Sequence, residues 1–189
     1  LISNVPIIRS KTDNFSYLLK QLPNGIKILL ISDPETNKSA AGLGVGVGSI
    51  SDPKDAQGLA HFCEHLLFMG TEKYPKENEY EDFLSQHSGN SNAFTTDSHT
   101  IYYFDISNDS FEKALDIFAQ FFICPIFNQN SVDKEINAID SEYTRDLTND
   151  GWREYQLILS EAKPSSSFNH FSIGNKKSLN TKDIRERLL

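Results

Sequence analysis

Long hydrophobic runs and an excess of basic charge are both absent from this sequence of 189 residues. Apolar runs such as Ile28–Ile31, Leu66–Met69 and Phe121–Cys124 fall far below the roughly 18 residues that cross a bilayer, so we expect no membrane span. The 18 Lys and Arg residues are outnumbered by 26 Asp and Glu residues, and they form no cluster interleaved with aromatic residues. This disfavours a nucleic-acid surface, and a cationic peptide suits the net charge of −8 better.

Cysteine is scarce as well. Cys63 and Cys124 form no CxxC pair and are too few for the disulfide scaffold of a secreted protein, which predicts a reducing compartment, the cytoplasm. The first residues, LISNVPIIRSKTDN, lack both Met and the pattern of a signal peptide. The last residues, KKSLNTKDIRERLL, look like the opening of a helix whose apolar face is incomplete. We therefore expect a piece excised from a longer chain.

The N-terminal third is predicted to be β structure. SYLLKQL and IKILLIS flank the turn Pro23–Gly25, whose Asn-Gly step suits the positive φ of a hairpin. A third strand follows in SAAGLGVGVGSI, where glycine alternates with Leu43, Val45 and Val47. One face of this strand therefore carries no side chains, and we expect another backbone or a helix to approach it closely.

In the rest of the chain, the spacing of apolar residues mostly predicts helices. A second strand pair is predicted at Ser91–Thr96 and Thr100–Ile106, and Lys163–Asn180 is predicted to be a loop. This mixture predicts an α+β fold, with helices packed on one face of a largely antiparallel sheet, and a single domain over residues 1–189. The predicted helices are Gln57–Met69, Lys76–His87, Ser110–Phe122, Ser131–Leu147 and Gly151–Ala162.

The first predicted helix carries His61-Phe62-Cys63-Glu64-His65, which fits the H-x-x-E-H pattern of inverted zincins. Residues four apart share a helix face, so the two imidazoles can chelate one ion while Glu64 reaches a water molecule beside it. Cys63 points away from that face and is interpreted as a packed residue. The alternative is a helix with two half-exposed histidines and no metal.

A zinc hydrolase needs a third protein ligand on another element. Glu135 and Glu142 lie seven residues apart, on one face of the helix Ser131–Leu147. Either could reach the metal while the other supports a histidine, or both could be solvated carboxylates. The residues alone leave this choice open.

Three segments, HFCEHLLFMGTEKYP, SNAFTTDSHTIYYFDIS and DKEINAIDSEYTRDLTNDGWR, resemble the catalytic N-terminal domain of the insulinase (pitrilysin) family in order and spacing, over about residues 15–180. The resemblance implies an insulinase-like metallopeptidase domain with one Zn²⁺ per chain. It assigns Glu142, which lies 77 positions after His65, as the third zinc ligand beside His61 and His65. Glu135 then matches an acidic residue that supports the site from the same helix.

The resemblance further implies a zinc metalloendopeptidase acting on short, flexible peptides. Zinc would acidify a water molecule, and Glu64 would take its proton and return it to the leaving amine. The family's edge strand, to which an extended substrate adds as a further strand, matches Ser91, Asn92, Ala93, Phe94 and Thr95.

The resemblance also implies a pocket for bulky apolar side chains beside the scissile bond. Tyr155 departs from the family, which has Phe at this position, and its hydroxyl changes the polarity of the pocket. Taken alone, each aromatic residue of the pocket fits ordinary core packing better. The pocket residues implied are Phe68, Asn92, Phe94, Trp152 and Tyr155.

Family members are much longer, so the remaining domains of the same chain are expected partners besides peptide substrates. Their later half supplies an Arg and a Tyr to the substrate carbonyl, and without them this segment is expected to be close to inactive. Two alternatives remain: a non-catalytic binding or scaffold homologue, and a zinc-stabilised domain in which four protein ligands close the site.

Overall fold

The computed structural model describes residues 7–189, so the first six residues of the segment used to argue against a signal peptide lie outside it. The chain divides into two compact units, one ending at Asn37 and one spanning Lys38–Leu189. The first unit contains an antiparallel hairpin of β1 (Ser16–Gln21) and β2 (Lys27–Ser32). The predicted hairpin is confirmed, and Gly25 in its turn has φ +93°.

The second unit is built on a three-stranded antiparallel sheet with strand order β3–β5–β4. The strands are β3 (Lys38–Val45), β4 (Asn90–Thr95) and β5 (Thr100–Ser107), and both outer strands pair with β5. The predicted strand pair in the middle of the chain is thus confirmed, and β4 forms one edge of this sheet.

The predicted helices are all present, with ends that differ by one to three residues. None of the helices in residues 7–189 is long and apolar enough to cross a membrane. The helices are α1 (Leu59–Leu67), α2 (Glu79–Gln86), α3 (Phe111–Gln120), α4 (Gln129–Asp146), α5 (Asp150–Glu161), α6 (Lys176–Leu179) and α7 (Ile184–Leu188).

The end of the chain differs from its prediction. The predicted loop contains α6, and the terminal segment forms two short helices rather than the opening of one. A capping box explains α6: the Asn175 side chain accepts from the backbone N–H of Ser178, whose hydroxyl accepts from the backbone N–H of Asn175. Each short helix also buries an apolar side chain, Leu179 in α6 and Ile184 in α7.

The core lies on one face of the three-stranded sheet, as predicted. Tyr102, Phe104 and Ile106 of β5 are buried, whereas Tyr103 faces the other side and is exposed. The Phe104 ring meets the Phe118 ring of α3 at a centroid distance of 5.2 Å. This alternation is typical of an antiparallel sheet that packs helices on a single face.

The glycine-rich strand β3 does not have the predicted environment. Leu43 and Val45 pack against the core, but the opposite, glycine-bearing face is exposed. A Cβ on Gly42 or Gly44 would meet only the paired strand β5, at 3.3 Å from the Tyr102 carbonyl oxygen and 3.1 Å from Cδ1 of Ile101. Helices of the 38–189 unit pack on the side-chain face because apolar surface is buried there. A closer approach occurs beyond the strand, at Gly48, where a Cβ would overlap the carbonyl oxygen of Thr96.

Candidate metal centre

The first turn of the helix that carries the H-x-x-E-H pattern is capped by a side chain several residues before the helix. Gly58, with φ +91°, precedes α1, and the Asp52 carboxylate accepts hydrogen bonds from the backbone N–H groups of Gly58 (2.7 Å) and Ala60 (2.9 Å). These bonds satisfy donors that have no partner within the helix. Burial nevertheless raises the pKa of Asp52 to about 6, outweighing the hydrogen bonds and the nearby charge of His170.

Core packing orients α1. Phe62 and Leu66 are buried in the core, which places His61 and His65 one turn apart on the partly exposed side. The two imidazole rings meet edge to face at a centroid distance of 4.7 Å, and their Nε2 atoms are 3.2 Å apart. This is the arrangement that the spacing of four residues predicts.

The long helix α4 brings two glutamates to these histidines. Asn128 caps the helix, while Val132 and Ile139 are buried, so Glu135 and Glu142 lie together toward α1. Glu142 Oε2 is 3.5 Å from Nε2 of His61 and 3.7 Å from Nε2 of His65. Ligand atoms of His61, His65 and Glu142 all lie within 4.8 Å of one another.

Hydrogen bonds on the far side of each imidazole determine which nitrogen carries the hydrogen. His65 Nδ1 lies 3.0 Å from Glu135 Oε2, and His61 Nδ1 lies 2.7 Å from the carbonyl oxygen of Ile173. A carboxylate and a carbonyl oxygen can only accept, so we infer that Nδ1 donates in both residues. In the neutral imidazoles both Nε2 atoms then carry a free lone pair, and Glu142 Oε2 lies within 3.7 Å of each, so this donor set fits a metal ion.

The charge around these residues is negative. Burial works against protonation of His65, but the hydrogen bond to Glu135 and the charges of Glu142, Glu135 and Glu64 outweigh it, so the pKa of His65 is raised. The carboxylates that stabilise a proton here would also stabilise a divalent cation.

Glu64 lies beside this cluster and is only 8% exposed. Its Oε2 accepts a hydrogen bond of 2.5 Å from the hydroxyl of Thr95 at the end of β4. The edge strand and the helix of the two histidines are therefore linked through this carboxylate.

Cys63, between the two histidines, packs against the core. Burial raises the pKa of its thiol to about 11, so the thiol is protonated at neutral pH. Among residues 7–189, no Cys, Asp, Glu or further His joins the cluster of His61, His65 and Glu142.

One pocket of about 1040 Å³ is lined by every residue that the sequence predicts to bind metal or substrate, to support the metal site or to act as the base. Phe94 and Trp152 are each 46% exposed, so both present ring surface to solvent. Phe68 lines the pocket and also packs on the core, with its ring centroid 5.3 Å from that of Phe121. The predicted residues in the lining are His61, Glu64, His65, Phe68, Asn92, Ala93, Phe94, Thr95, Glu135, Glu142, Trp152 and Tyr155.

The hydroxyl of Tyr155 has a partner within the pocket wall. It donates to Asp97 Oδ1 at 2.6 Å, and burial together with this bond raises the pKa of Tyr155 to about 12. The bond joins α5 to the turn between β4 and β5, so the hydroxyl is engaged by the wall of the pocket.

Three polar contacts of the centre were not found from the sequence. The Ile173 carbonyl lies 112 positions from His61 along the chain. Asp52 lies six residues before Gly58, outside the usual spacing of a helix cap. Thr95 was predicted to bind substrate and not to donate a hydrogen bond to Glu64. A backbone carbonyl carries no signal of residue type, so the first of these requires the folded chain.

Comparison with known proteins identifies the family of the chain. The family described as "Insulinase (Peptidase family M16)" matches residues 27–165. The chain is 52% identical to insulin-degrading enzyme of Bos taurus over 97% of its own length and 18% of that protein. It is 49% identical to the A-factor-processing enzyme of Saccharomyces cerevisiae over 94% of the chain and 17% of that protein.

A solved structure is similar over nearly the whole chain. The crystal structure of pitrilysin aligns with a TM-score of 0.92 and 36% sequence identity, covering 96% of this chain and 20% of that one. The chain thus spans about a fifth of the length of the relatives it matches. Both the sequence match and the shared fold show that the chain belongs to the insulinase family of peptidases, family M16.

Proposed function

We propose that this protein is a zinc metalloendopeptidase that hydrolyses short, flexible peptides. One zinc ion per chain is held by His61, His65 and Glu142, and Glu64 is the general base. The observation that carries this proposal is the convergence of two Nε2 atoms and one carboxylate oxygen within 4.8 Å, beside a buried glutamate and in a pocket bordered by an edge strand. The names of the relatives, insulin-degrading and A-factor-processing enzymes, support action on peptides.

Zinc, when bound, supplies Lewis-acid chemistry that acidifies a water molecule and polarises a carbonyl group. Glu64 accepts a proton from the attacking water and returns it to the leaving amine, and the Thr95 hydroxyl holds the carboxylate in place for both transfers. Glu135 orients His65 through Nδ1 and increases the basicity of Nε2.

The substrate binds along β4. Within residues 7–189 this strand pairs with β5 on one side only, so its other edge can accept an extended peptide through main-chain hydrogen bonds that place little demand on sequence. Asn92 and Ala93 contribute to this edge. Phe68, Phe94, Trp152 and Tyr155 bind a bulky apolar side chain next to the scissile bond.

Two alternatives have less support. A zinc-stabilised structural site normally has four protein ligands, but the cluster in residues 7–189 has three and opens into a pocket, which leaves a position for water. A non-catalytic homologue has no need for a buried carboxylate next to the metal ligands, yet Glu64 stands there with a hydrogen-bond donor.

We also propose that residues 1–189 are the N-terminal catalytic domain of a longer chain whose other domains complete the enzyme. The coverage of 18% of the bovine relative supports this organisation. Both cysteines are free, which suits a reducing compartment such as the cytoplasm.

Two substitutions in the full-length protein test the metal site and the base separately. We expect wild-type protein to retain one zinc ion per chain after exhaustive dialysis, and Glu142→Gln to weaken zinc binding by more than about a hundredfold. Glu64→Gln should keep its zinc but lower the peptidase rate by about a hundredfold or more, because a neutral amide cannot accept the proton.

Metal content by atomic emission and the rate of peptide cleavage are the two readouts. Glu112→Gln makes the same chemical change at an exposed position of α3 and should leave both unchanged. Full activity in Glu64→Gln would remove the general base from the proposal. A wild-type zinc content in Glu142→Gln would remove the third ligand.

A further inference from the structure

The short segment 170–174, which we call the strap, runs past the start of α1. Its Ile173 carbonyl oxygen lies 2.7 Å from His61 Nδ1, and this contact joins residues 112 positions apart. Within residues 7–189, this hydrogen bond is the one that holds Nδ1 of His61, while Nε2 on the other side of the ring faces the candidate metal position. Glu135 holds Nδ1 of His65 in the same way.

Polar contacts hold the strap to several elements. The backbone N–H of Phe171 donates to Gln57 Oε1 at 2.7 Å, just before α1. His170 Nε2 lies 2.9 Å from the Ser49 hydroxyl, and the His170 carbonyl accepts from Gln156 Nε2 at 3.1 Å. The position of the Ile173 carbonyl is therefore fixed from outside the centre.

The strap can lie this close to α1 because two glycines meet. Gly58 and Gly174 both have positive φ, +91° and +82°. A Cβ on Gly174 would lie 3.2 Å from the Gly58 Cα and 2.8 Å from Cδ1 of the buried Leu179. A side chain at residue 174 would therefore push the strap, and the carbonyl just before it, away from His61.

We propose that the strap sets the orientation and tautomer of His61, so that Ile173 and Gly174 are positioning residues of the metal centre. The proposal rests on the zinc site proposed above. With the carbonyl in place, Nδ1 of His61 must carry the hydrogen and Nε2 presents its lone pair. Without it, the imidazole can rotate or exchange tautomers, and the fraction competent to bind zinc falls.

Gly174→Ala in the full-length protein tests this step. Loss of such an outer partner typically lowers metal affinity about 10–100-fold, so we expect the zinc dissociation constant, measured by chelator competition, to rise by that factor. Gly46→Ala is the control for the added methyl group, because a Cβ there meets no atom within 4 Å, and it should bind zinc as wild type does.

Two further readouts separate positioning from general destabilisation. The absorption bands of Co²⁺ bound in place of zinc report ligand geometry and should change in Gly174→Ala but not in Gly46→Ala. Gln57→Ala removes the acceptor for Phe171 N–H without adding a side chain to the strap, and a smaller loss of affinity in the same direction is expected. Circular dichroism establishes that each compared variant is folded.

The outcomes distinguish the two proposals. Wild-type protein that binds no zinc would overturn the proposed site itself. Wild-type zinc affinity and Co²⁺ bands in folded Gly174→Ala would leave that site standing and overturn the role of the strap. If Gly174→Ala does not fold, Gln57→Ala decides: unchanged affinity overturns the inference, and weaker binding with altered Co²⁺ bands supports it.

Discussion

The carboxylate of Glu64 is a buried acceptor that needs a donor. Thr95 provides one at 2.5 Å, and the Thr95 hydroxyl in turn lies 3.3 Å from that of Thr100, which donates to the carbonyl oxygen of Val47 at 3.0 Å. The proposed general base is thereby connected to β4, to β5 and to the loop after β3. A peptide that adds to β4 would bind next to the residue that holds the base.

Thr95→Val keeps the shape of the side chain but removes the donor. We expect kcat to fall about tenfold while KM and zinc affinity change little, because an unsatisfied buried carboxylate costs about 1–3 kcal/mol and shifts from its productive position. Thr95→Ser restores a hydroxyl and should recover most of the rate. Steady-state kinetics with an internally quenched peptide measure both effects, and an unchanged kcat in Thr95→Val would contradict the positioning role.

The sequence carries different amounts of information about different residues of the centre. Two histidines four apart on a helix must lie on one face, so their meeting is predictable from local geometry. The choice between Glu135 and Glu142 depends on how α4 packs against α1 and was open until a family resemblance supplied it. The geometry places Glu142 toward both Nε2 atoms and Glu135 on Nδ1 of His65.

At the scale of elements, α1 depends on a cap from outside the usual position. Asp52 reaches the first turn through the loop before Gly58 and supplies acceptors to two backbone donors. Its pKa is raised from 3.8 to about 6 because burial disfavours the charged form more than these bonds favour it.

This raised pKa gives stability a definite dependence on pH. The folded state holds a proton on Asp52 that the unfolded state releases between about pH 4 and pH 6, so the contribution of Asp52 to stability falls as pH rises through this window and is constant above it. Asp52→Asn cannot titrate. The free energy of unfolding of wild type minus that of Asp52→Asn should therefore decrease by at most about 3 kcal/mol over the window.

Urea unfolding of the metal-free proteins at a series of pH values measures the difference. Metal is removed so that protonation of the proposed ligands does not enter the comparison. A difference that stays level from pH 4 to pH 6 would show that the carboxylate titrates at its ordinary pKa.

Elements were predicted well where one physical signal dominated. Apolar spacing located the long helices, and the Asn-Gly step located the first hairpin turn. The small helix α6 was missed because a single turn has no periodicity to detect and only its Asn175 and Ser178 cap marks it. The environment of the glycine face of β3 depends on which face buries more apolar surface, and local sequence does not reveal that.

At the scale of the molecule, the pocket is assembled from distant parts of the chain. Its lining comes from α1, α2, β4, α4, α5, the strap and the loops next to them, all within the unit Lys38–Leu189. Residues from 49 to 173 must therefore reach their final positions before the centre exists. The family resemblance identified most of the members, but the contacts between them follow only from the fold.

The pocket is poor in groups that could stabilise the negative oxygen formed when a peptide carbonyl is attacked. Among the described residues that line the pocket, Arg145 is the one with a Lys or Arg side chain. Its Nε is paired with Asp146 Oδ1 at 3.0 Å. Donors aimed at such an oxygen typically contribute a factor of about 10²–10³ to the rate. We infer that other domains of the longer protein provide them.

The 189-residue chain alone should therefore bind zinc yet cleave peptides poorly. Its three proposed ligands and their outer partners are all present, so the zinc dissociation constant should be close to that of the full-length protein, whereas kcat/KM should be lower by at least about 10²–10³. Adding the remaining domains as a separate polypeptide should restore part of the activity, and adding them to Glu64→Gln should not. Full activity of the short chain would place every group needed for catalysis within it, and Arg145 would then be the first residue to substitute.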